Sequence, residues 1–469
     1  MTAAEANPSY LAPPRATAGR RAARRGAVIL GFVAVVILMT VSPALLIALG
    51  VPYMAPGGSQ ALKIHPATWA TALAMLPLIA SRGGVVRFMA GEAIDRPGVA
   101  AFALATVLLF FHVVTVSSLP VSPVIDTFLL PILLVSVVGA MTEAERGRLV
   151  VFLHLLFVIN ALIGCVEYAS SWRLTPMFDA DGRILAQDWR ASAIFGHPLV
   201  NAFLDGTWLL ALACGATPRL PVVLRLGLMA LATVAMVAFG GRVAMVFAVV
   251  ILGAIGATRG VGVLLGGRFR LDAAAAAIAV ATVAALFVVV FVDMGGADRF
   301  LERFSSDHGS AQARVAMFKI FGDLTPEQFV LWSDDRLIAQ AQREYGIRVG
   351  VESTEVAFVA FYGLAVTLVF LAGLGLFLHE LMRATGPRTG WLVLYFVVVM
   401  SGSNGIAAKS LSLAQLVVMV LVLMPRRGAG GRRLSSPWAP ESGQTGTTVA
   451  GSPPSDGRPD AGAPPPRQG

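Results

Sequence analysis

Along this chain, long apolar runs alternate with short polar links. Runs long enough to cross a bilayer, about 17–25 residues each, fall near 27–49, 64–81, 98–118, 122–141 and 149–168. After a polar stretch they resume near 198–216, 222–240, 243–258, 272–294, 355–378, 390–404 and 408–424. The pattern predicts an all-α integral membrane protein of about twelve transmembrane helices. One polar segment, 295–353, is far longer than the other links and holds a large share of the charges outside the tails. Within it, Ala311–Phe321 predicts a short helix with Val315, Phe318 and Phe321 near one face. Thr325-Pro326-Glu327 reads as an N-cap with proline in the first helical position, opening a second helix. Such helices, lying at the membrane surface, would form a cap over the bundle.

The organisation follows from these shifts in pattern. Residues 1–26 are polar and basic and read as a disordered N-terminus. Residues 27–294 form the first part of the bundle, 295–353 the large loop, and 354–425 the last part of the bundle. From 426 to 469 the chain is rich in Gly, Pro and Ser, a composition that favours disorder. No internal repeat stands out.

Composition supports the membrane reading. The 469 residues are 56% hydrophobic and 13% charged, against roughly 25% charge in soluble domains. The net charge of +9 does not point to nucleic acid, because the arginines are spread over short links and termini. They fall on alternate links: Arg82, Arg87 and Arg96; Arg146 and Arg148; Arg219 and Arg225; Arg259, Arg268 and Arg270; Arg383 and Arg388. The two ends of the chain carry more, from Arg15 to Arg25 and from Arg426 to Arg433. With an even number of spans all of these share one side, which the positive-inside rule makes cytoplasmic. Both termini are then cytoplasmic, and the 169–196 and 295–353 loops face the periplasm or cell exterior. The opposite short links carry little more than Lys63 and Lys409. Cys165 and Cys214 lie inside apolar runs and read as small core residues rather than a disulfide or metal site. The first apolar run is too long for a secretory signal and lacks a cleavage pattern.

Three separate pieces of sequence deliver polar chemistry to that outer side. One is 188–201, with Asp188, Arg190, His197 and Asn201. Another is the Gly240-Gly241-Arg242 turn, and the third is the long loop with Arg299, Arg303, Arg314, Arg348, Glu352 and Glu355. Converging arginines can hold a phosphate or pyrophosphate through paired N–H donors. A carboxylate or imidazole beside them can take a proton from a hydroxyl. The combination suits displacement of a lipid pyrophosphate by a sugar hydroxyl, with the arginines neutralising charge on the leaving group and no metal required. Structural roles fit the same residues. Arg242 suits a snorkelling interfacial arginine, His197 before Pro198 suits a helix cap, and Arg314 suits a solvated helix face. Glu352 suits a pair with Arg348 four residues earlier, and Glu355 suits a helix N-terminus. Glu167, His112 and His154, inside apolar runs, suit buried and paired groups.

These segments resemble those of the O-antigen ligase and polymerase superfamily, the exopolysaccharide-type branch included. Arg190-Ala-Ser-Ala-Ile-Phe-Gly-His197-Pro198-Leu-Val-Asn201-Ala resembles the family's Arg…Gly…His-Pro-Asn-Ala segment at the start of a span. Phe239-Gly-Gly-Arg242 resembles its Ser-x-Ser-Arg-Gly turn, with glycines in place of the serines. Arg303 followed by Ser310-Ala-Gln-Ala-Arg314 resembles the start of its large periplasmic loop. Glu352-Ser-Thr-Glu-Val through Gly363 resembles the end of that loop, with Glu352 where ligases place a histidine and no Gly-x-Gly mid-loop. The resemblance implies a cofactor-free, metal-independent, inverting glycosyltransferase of a bacterial inner membrane. Its partner would be a polyprenyl-pyrophosphate-linked oligosaccharide in the lipid bilayer, with chain-length regulator or export proteins as possible associates. Arg190, Arg242, Arg303 and Arg314 would bind pyrophosphate, and Glu352, or His197 in its stead, would activate the acceptor. A carboxylate at 352 leans toward polymerase rather than ligase. The rival class is a transporter or flippase of the same lipid-linked glycan, which would place its ionisable groups deep in the bundle.

Overall fold

A computed structural model describes residues 18–55, 58–117, 119–178, 184, 190–217, 220–266, 315–332, 335–347, 351, 353–403 and 405–424. Among these residues the regular structure is helical, with one isolated bridge between Phe178 and Ile184. In chain order the first helices are α1 (Ala18–Thr40), α2 (Pro43–Ala48), α3 (Pro66–Arg82), α4 (Val85–Asp95) and α5 (Pro97–Thr115). Next come α6 (Ser122–Gly139), α7 (Glu143–Ser170), α8 (Pro198–Ala213), α9 (Val222–Phe239) and α10 (Arg242–Leu264). The last group is α11 (Pro326–Val330), α12 (Asp335–Glu344), α13 (Thr354–Tyr362), α14 (Leu364–Thr385), α15 (Thr389–Ser401) and α16 (Ser412–Leu423).

Local chemistry sets the helix ends. Thr142 and Glu145 form a reciprocal capping box, so α7 starts well before the apolar run that predicts it. Gly83 and Gly84 both take positive φ, and α4 leaves α3 at 94°. Pro131 has no N–H to offer Thr127, and the turn over Ile125–Leu129 widens to a π-turn just there.

Seven described helices are long and apolar enough to cross a bilayer: α1, α5, α6, α7, α9, α10 and α14. The bent pair α3 and α4 makes an eighth if it counts as one span. The expectation of about twelve spans is thus met in part, by seven or eight among the described residues. The run at 272–294 lies outside the described residues. Three other runs form helices of 16, 13 and 12 residues, namely α8, α15 and α16. At about 1.5 Å per residue the shortest reaches only about 18 Å, well short of a hydrocarbon core of about 30 Å. Two of them, α8 and α16, are apolar because they are interior: all of α16 and nearly all of α8 is buried against neighbouring helices. The 355–378 run is also broken, at Gly363.

The bundle has two chemically different ends. At one, Arg24 at the start of α1 pairs with Glu145 at the start of α7, and Arg96 pairs with Glu92 and donates to Val135 O near the end of α6. Arg383 pairs with Glu380 near the end of α14, Arg259 donates to Ala213 O, and Arg388 donates to Cys214 O. These five arginines therefore gather at one end. The opposite end carries the α1–α2 turn, the start of α8, the α9–α10 turn and the start of α16.

Part of the long loop packs there as a small separate core. Met317, Ile320, Ile338, Ala341 and Ile347 bury against Val356, Ala357 and Ala360 of α13. The Thr325 cap forms as the sequence predicts, closed into a box by Gln328. Residues 317–323 wind as a 3₁₀ helix, so Met317 and Ile320 face inward while Val315 and Phe318 lie exposed. Of the face read from the sequence, Phe321 packs against this core while Val315 and Phe318 do not.

Candidate functional site

The 190–201 segment is built on buried polar anchors. Glu167, 3% exposed near the end of α7, accepts the N–H groups of Leu174, Ser192 and Ala193 at 2.7, 2.7 and 2.9 Å. Asn160, two turns earlier, accepts Ile194 N at 3.0 Å. Asn201 donates from Nδ2 to Ser192 O and His197 O. Irregular backbone is thereby satisfied inside an apolar bundle, where unpaired N–H groups are costly. Gly196 takes φ +71, and a Cβ there would stand 2.5 Å from Ser42 Oγ and 2.6 Å from Ala44 Cβ. Only glycine lets this turn rest against the α1–α2 turn.

His197 ends the turn as N-cap of α8, its Nδ1 accepting Leu199 N at 3.3 Å, with Pro198 in the first helical position. With Nδ1 used as acceptor, the neutral ring carries its hydrogen on Nε2 and presents a donor. The half-buried His197 lines a cleft of about 180 Å³. Its other walls come from Leu38, Met39 and Val41 at the end of α1, Ala44 and Ile47 of α2, and Lys409 to Ser412 and Gln415 at the start of α16. The cleft is mainly apolar, with a few polar groups at its rim.

Arg190 begins this segment, and Arg242 stands on a turn that adjoins it. Ala191 N donates to Ala238 O at 3.1 Å, tying the residue after Arg190 to the end of α9. Gly241, just before Arg242, lies against Ala202 of α8 so closely that a Cβ would collide with it. Val243 lies next to Gly402 at the end of α15. There Thr354 donates to Met400 O and Ser403 O, both at 2.9 Å. Glu355 accepts from Ser353 Oγ at 3.0 Å and from Ser401 Oγ, so α10, α13 and α15 meet beside Arg242. The structure thus brings Arg190, His197 and Arg242 to one end of the bundle, with Glu355 close by as a hydroxyl-bound carboxylate. Arg303, Arg314 and Glu352 lie outside the described residues, as do Asp188, Arg299 and Arg348.

Beside the cleft sits a buried network that the sequence reading missed. Asp126 on the π-turn of α6 is 0% exposed. It accepts from Tyr53 Oη at 2.9 Å, Thr68 Oγ1 at 2.7 Å and His65 N at 3.0 Å, and pairs with Lys409 Nζ at 3.6 Å. Lys409 also donates to Tyr53 O and Lys63 O and lies over the Tyr53 ring, 3.3 Å from its centre. Its ammonium is committed inward, so Lys409 shapes the cleft wall. Burial pulls the Lys409 ammonium down from 10.5 to about 8, against the opposing pull of Asp126. Burial likewise lowers the His65 imidazole from 6.5, and burial, then Asp126, raises the Tyr53 phenol well above 10.0.

Other candidates take structural places. His154 is held between Thr217 Oγ1 at 2.9 Å and Trp208 Nε1 at 3.0 Å, and His112 meets the Tyr362 ring edge-on. Cys165 and Cys214 are free thiols. Among the described residues no group of three or more His, Cys, Asp or Glu is placed to hold a metal ion. Asp126 and Asp205 were legible in one respect, as single carboxylates inside apolar runs. No family model, no curated protein and no solved structure matches this chain.

Proposed function

We propose that the protein is a membrane glycosyltransferase that polymerises or ligates polyprenyl-pyrophosphate-linked glycan units at the periplasmic face of a bacterial inner membrane. The observation that carries this reading is that the 190–201 segment, whose His197 lines a mainly apolar cleft, adjoins the α9–α10 turn that bears Arg242, at the end away from the arginine-rich links. An isoprenoid pyrophosphate needs an apolar wall for its chain and cations for its phosphates. The positive-inside rule assigns the arginine-rich end, where α1 starts and α16 runs out, to the cytoplasm.

In this reading Arg190 and Arg242, joined by Arg303 and Arg314 of the long loop, hold the pyrophosphate. The acceptor hydroxyl attacks the anomeric carbon as the bond to the pyrophosphate oxygen breaks, and Glu352 takes the hydroxyl proton. The arginines balance the charge left on the pyrophosphate. His197, with Nδ1 engaged by Leu199 N, serves as an Nε2–H donor to an anionic oxygen better than as the base. Replacing Arg242 by Ala removes one charged donor set and should cut polymer formation by about 100-fold or more, with the protein still at wild-type level in the membrane. Wild-type polymer from both Arg242→Ala and Arg314→Ala would overturn the assignment.

A flippase of the same lipid-linked glycan is the second reading. One observation favours it: Asp205, an ionisable group fully buried in the middle of α8.

A further inference from the structure

Asp205 has no counterpart elsewhere in the described structure. Asp126 has four donors around it, Glu167 accepts three backbone N–H groups, and Glu380 pairs with Arg383 and accepts Gly98 N. Asp205 is 0% exposed and neither of its carboxyl oxygens has a hydrogen-bond partner. No other buried carboxyl among the described residues leaves both oxygens unpaired.

Among the described residues its surroundings offer no cation. The titratable groups within electrostatic reach are Tyr395 from α15 and Cys165 from α7, both neutral acids. Tyr395 Oη donates to Ala202 O at 3.4 Å, and its ring is stacked with Phe203. The buried faces of α9 and α10 hold only Ala, Met, Phe and Ile, and α16 contributes Ser412 and Gln415 as its polar groups. An isolated ionised carboxylate in such a place costs many kcal/mol, and neutralisation is the ordinary escape.

The position of Asp205 on α8 adds direction. His197, Asn201 and Asp205 are spaced four residues apart, so they line one face of the helix. His197 is at the cleft, and Asp205 is about 12 Å deeper by helical rise. Between them Asn201 has a buried Oδ1 that also lacks a partner, while its Nδ2 is bound to Ser192 O and His197 O. Two unpaired acceptors thus follow one another from the cleft toward the centre of the bundle.

We propose that Asp205 is an exchangeable proton-binding site, loaded from the cleft end of α8 past His197 and Asn201. The ligand is a proton, and the site stands apart from the glycosyl-transfer reading, whose failure would leave it untouched. In the resting molecule the carboxyl carries the proton; on release the carboxylate is left and the proton leaves toward the cleft.

Infrared spectroscopy of the full-length protein in lipid tests this directly. A protonated carboxyl in apolar surroundings gives a C=O band outside the amide region, which shifts on exchange into heavy water. The expected result is such a band in the wild type, a shift in heavy water, and loss of the band in Asp205→Asn. Treatment with dicyclohexylcarbodiimide gives a readout that needs no variant. The acid proton passes to a carbodiimide nitrogen as the carboxyl oxygen adds to its carbon, and acyl migration leaves a stable N-acylurea. Mass spectrometry of the wild type should find that adduct on Asp205, fading as the buffer becomes alkaline. Absence of both band and adduct would overturn the proposal, as would a band that fails to shift in heavy water. Protection of Asp205 by sodium at fixed pH would also overturn it, in favour of a metal cation.

Discussion

His65 and Lys409 show how single groups tie stability to pH at the cleft end. Both are buried around Asp126, and burial disfavours the charged form of each. For His65 the folded value lies below 6.5, so the unfolded ring takes up protons first as pH falls. Its contribution is present above 6.5 and is lost in acid. For Lys409 the folded value of about 8 lies under the ordinary 10.5, so stability should climb as pH rises from about 8. That climb should end near 10.0, because Tyr53, with its raised value, then counts in the opposite direction. Thermal unfolding across this range should show two rising limbs; His65→Gln should flatten the acid limb and Lys409→Met the alkaline one. Curves that keep both limbs in the variants would contradict the assignment. The sequence made part of this site legible and hid the rest for a physical reason. His197 announced its cap through Pro198, and Gly196 beside it fits a turn that only a hydrogen side chain allows. Asp126 and Asp205 each sit alone in an apolar run, where averaging over a window buries a single charge.

Helices divide by how their apolar residues are used. In α9 and α10 most of the apolar surface faces outward, as a span in lipid requires. In α8 and α16 it faces inward, against other helices. A hydropathy window sees the same composition in both, which is why runs 198–216, 390–404 and 408–424 read as spans although their helices are short. The break between α13 and α14 is set by Gly363 at φ +78, and a Cβ there would stand 2.7 Å from Leu331 C and 2.9 Å from Leu331 O. The loop's own core therefore leans on a backbone that must be glycine. Gly363→Ala should destabilise the protein by about 1–3 kcal/mol and make the 315–347 segment more open to limited proteolysis. Gly375→Ala, at a helical glycine with nothing within 4 Å of its added Cβ, should leave both unchanged. Equal behaviour of the two variants would show that the close approach at Gly363 is not needed.

At the scale of the whole bundle, charge is sorted by end. Arg24, Arg96, Arg259, Arg383 and Arg388 gather at one end, paired or bound to carbonyls, and the cleft lined by His197 lies at the other. This sorting was legible in the sequence because short links have only two sides to occupy. Which apolar runs form helices too short to cross was not, because lipid-facing and protein-facing helices share one composition. The proposed chemistry depends on the cleft end being the periplasmic one, with lipid-linked glycan as its substrate. The most direct test is the lipid-linked glycan left in membranes of a deletion strain rescued with wild type or with Glu352→Gln. The account predicts single repeat units on the periplasmic face and no polymer in the deletion and in the variant, with polymer restored by the wild type. Full-length polymer trapped on its lipid would place the enzyme at the ligation step. Units stranded on the cytoplasmic face would contradict the account and make the protein a flippase.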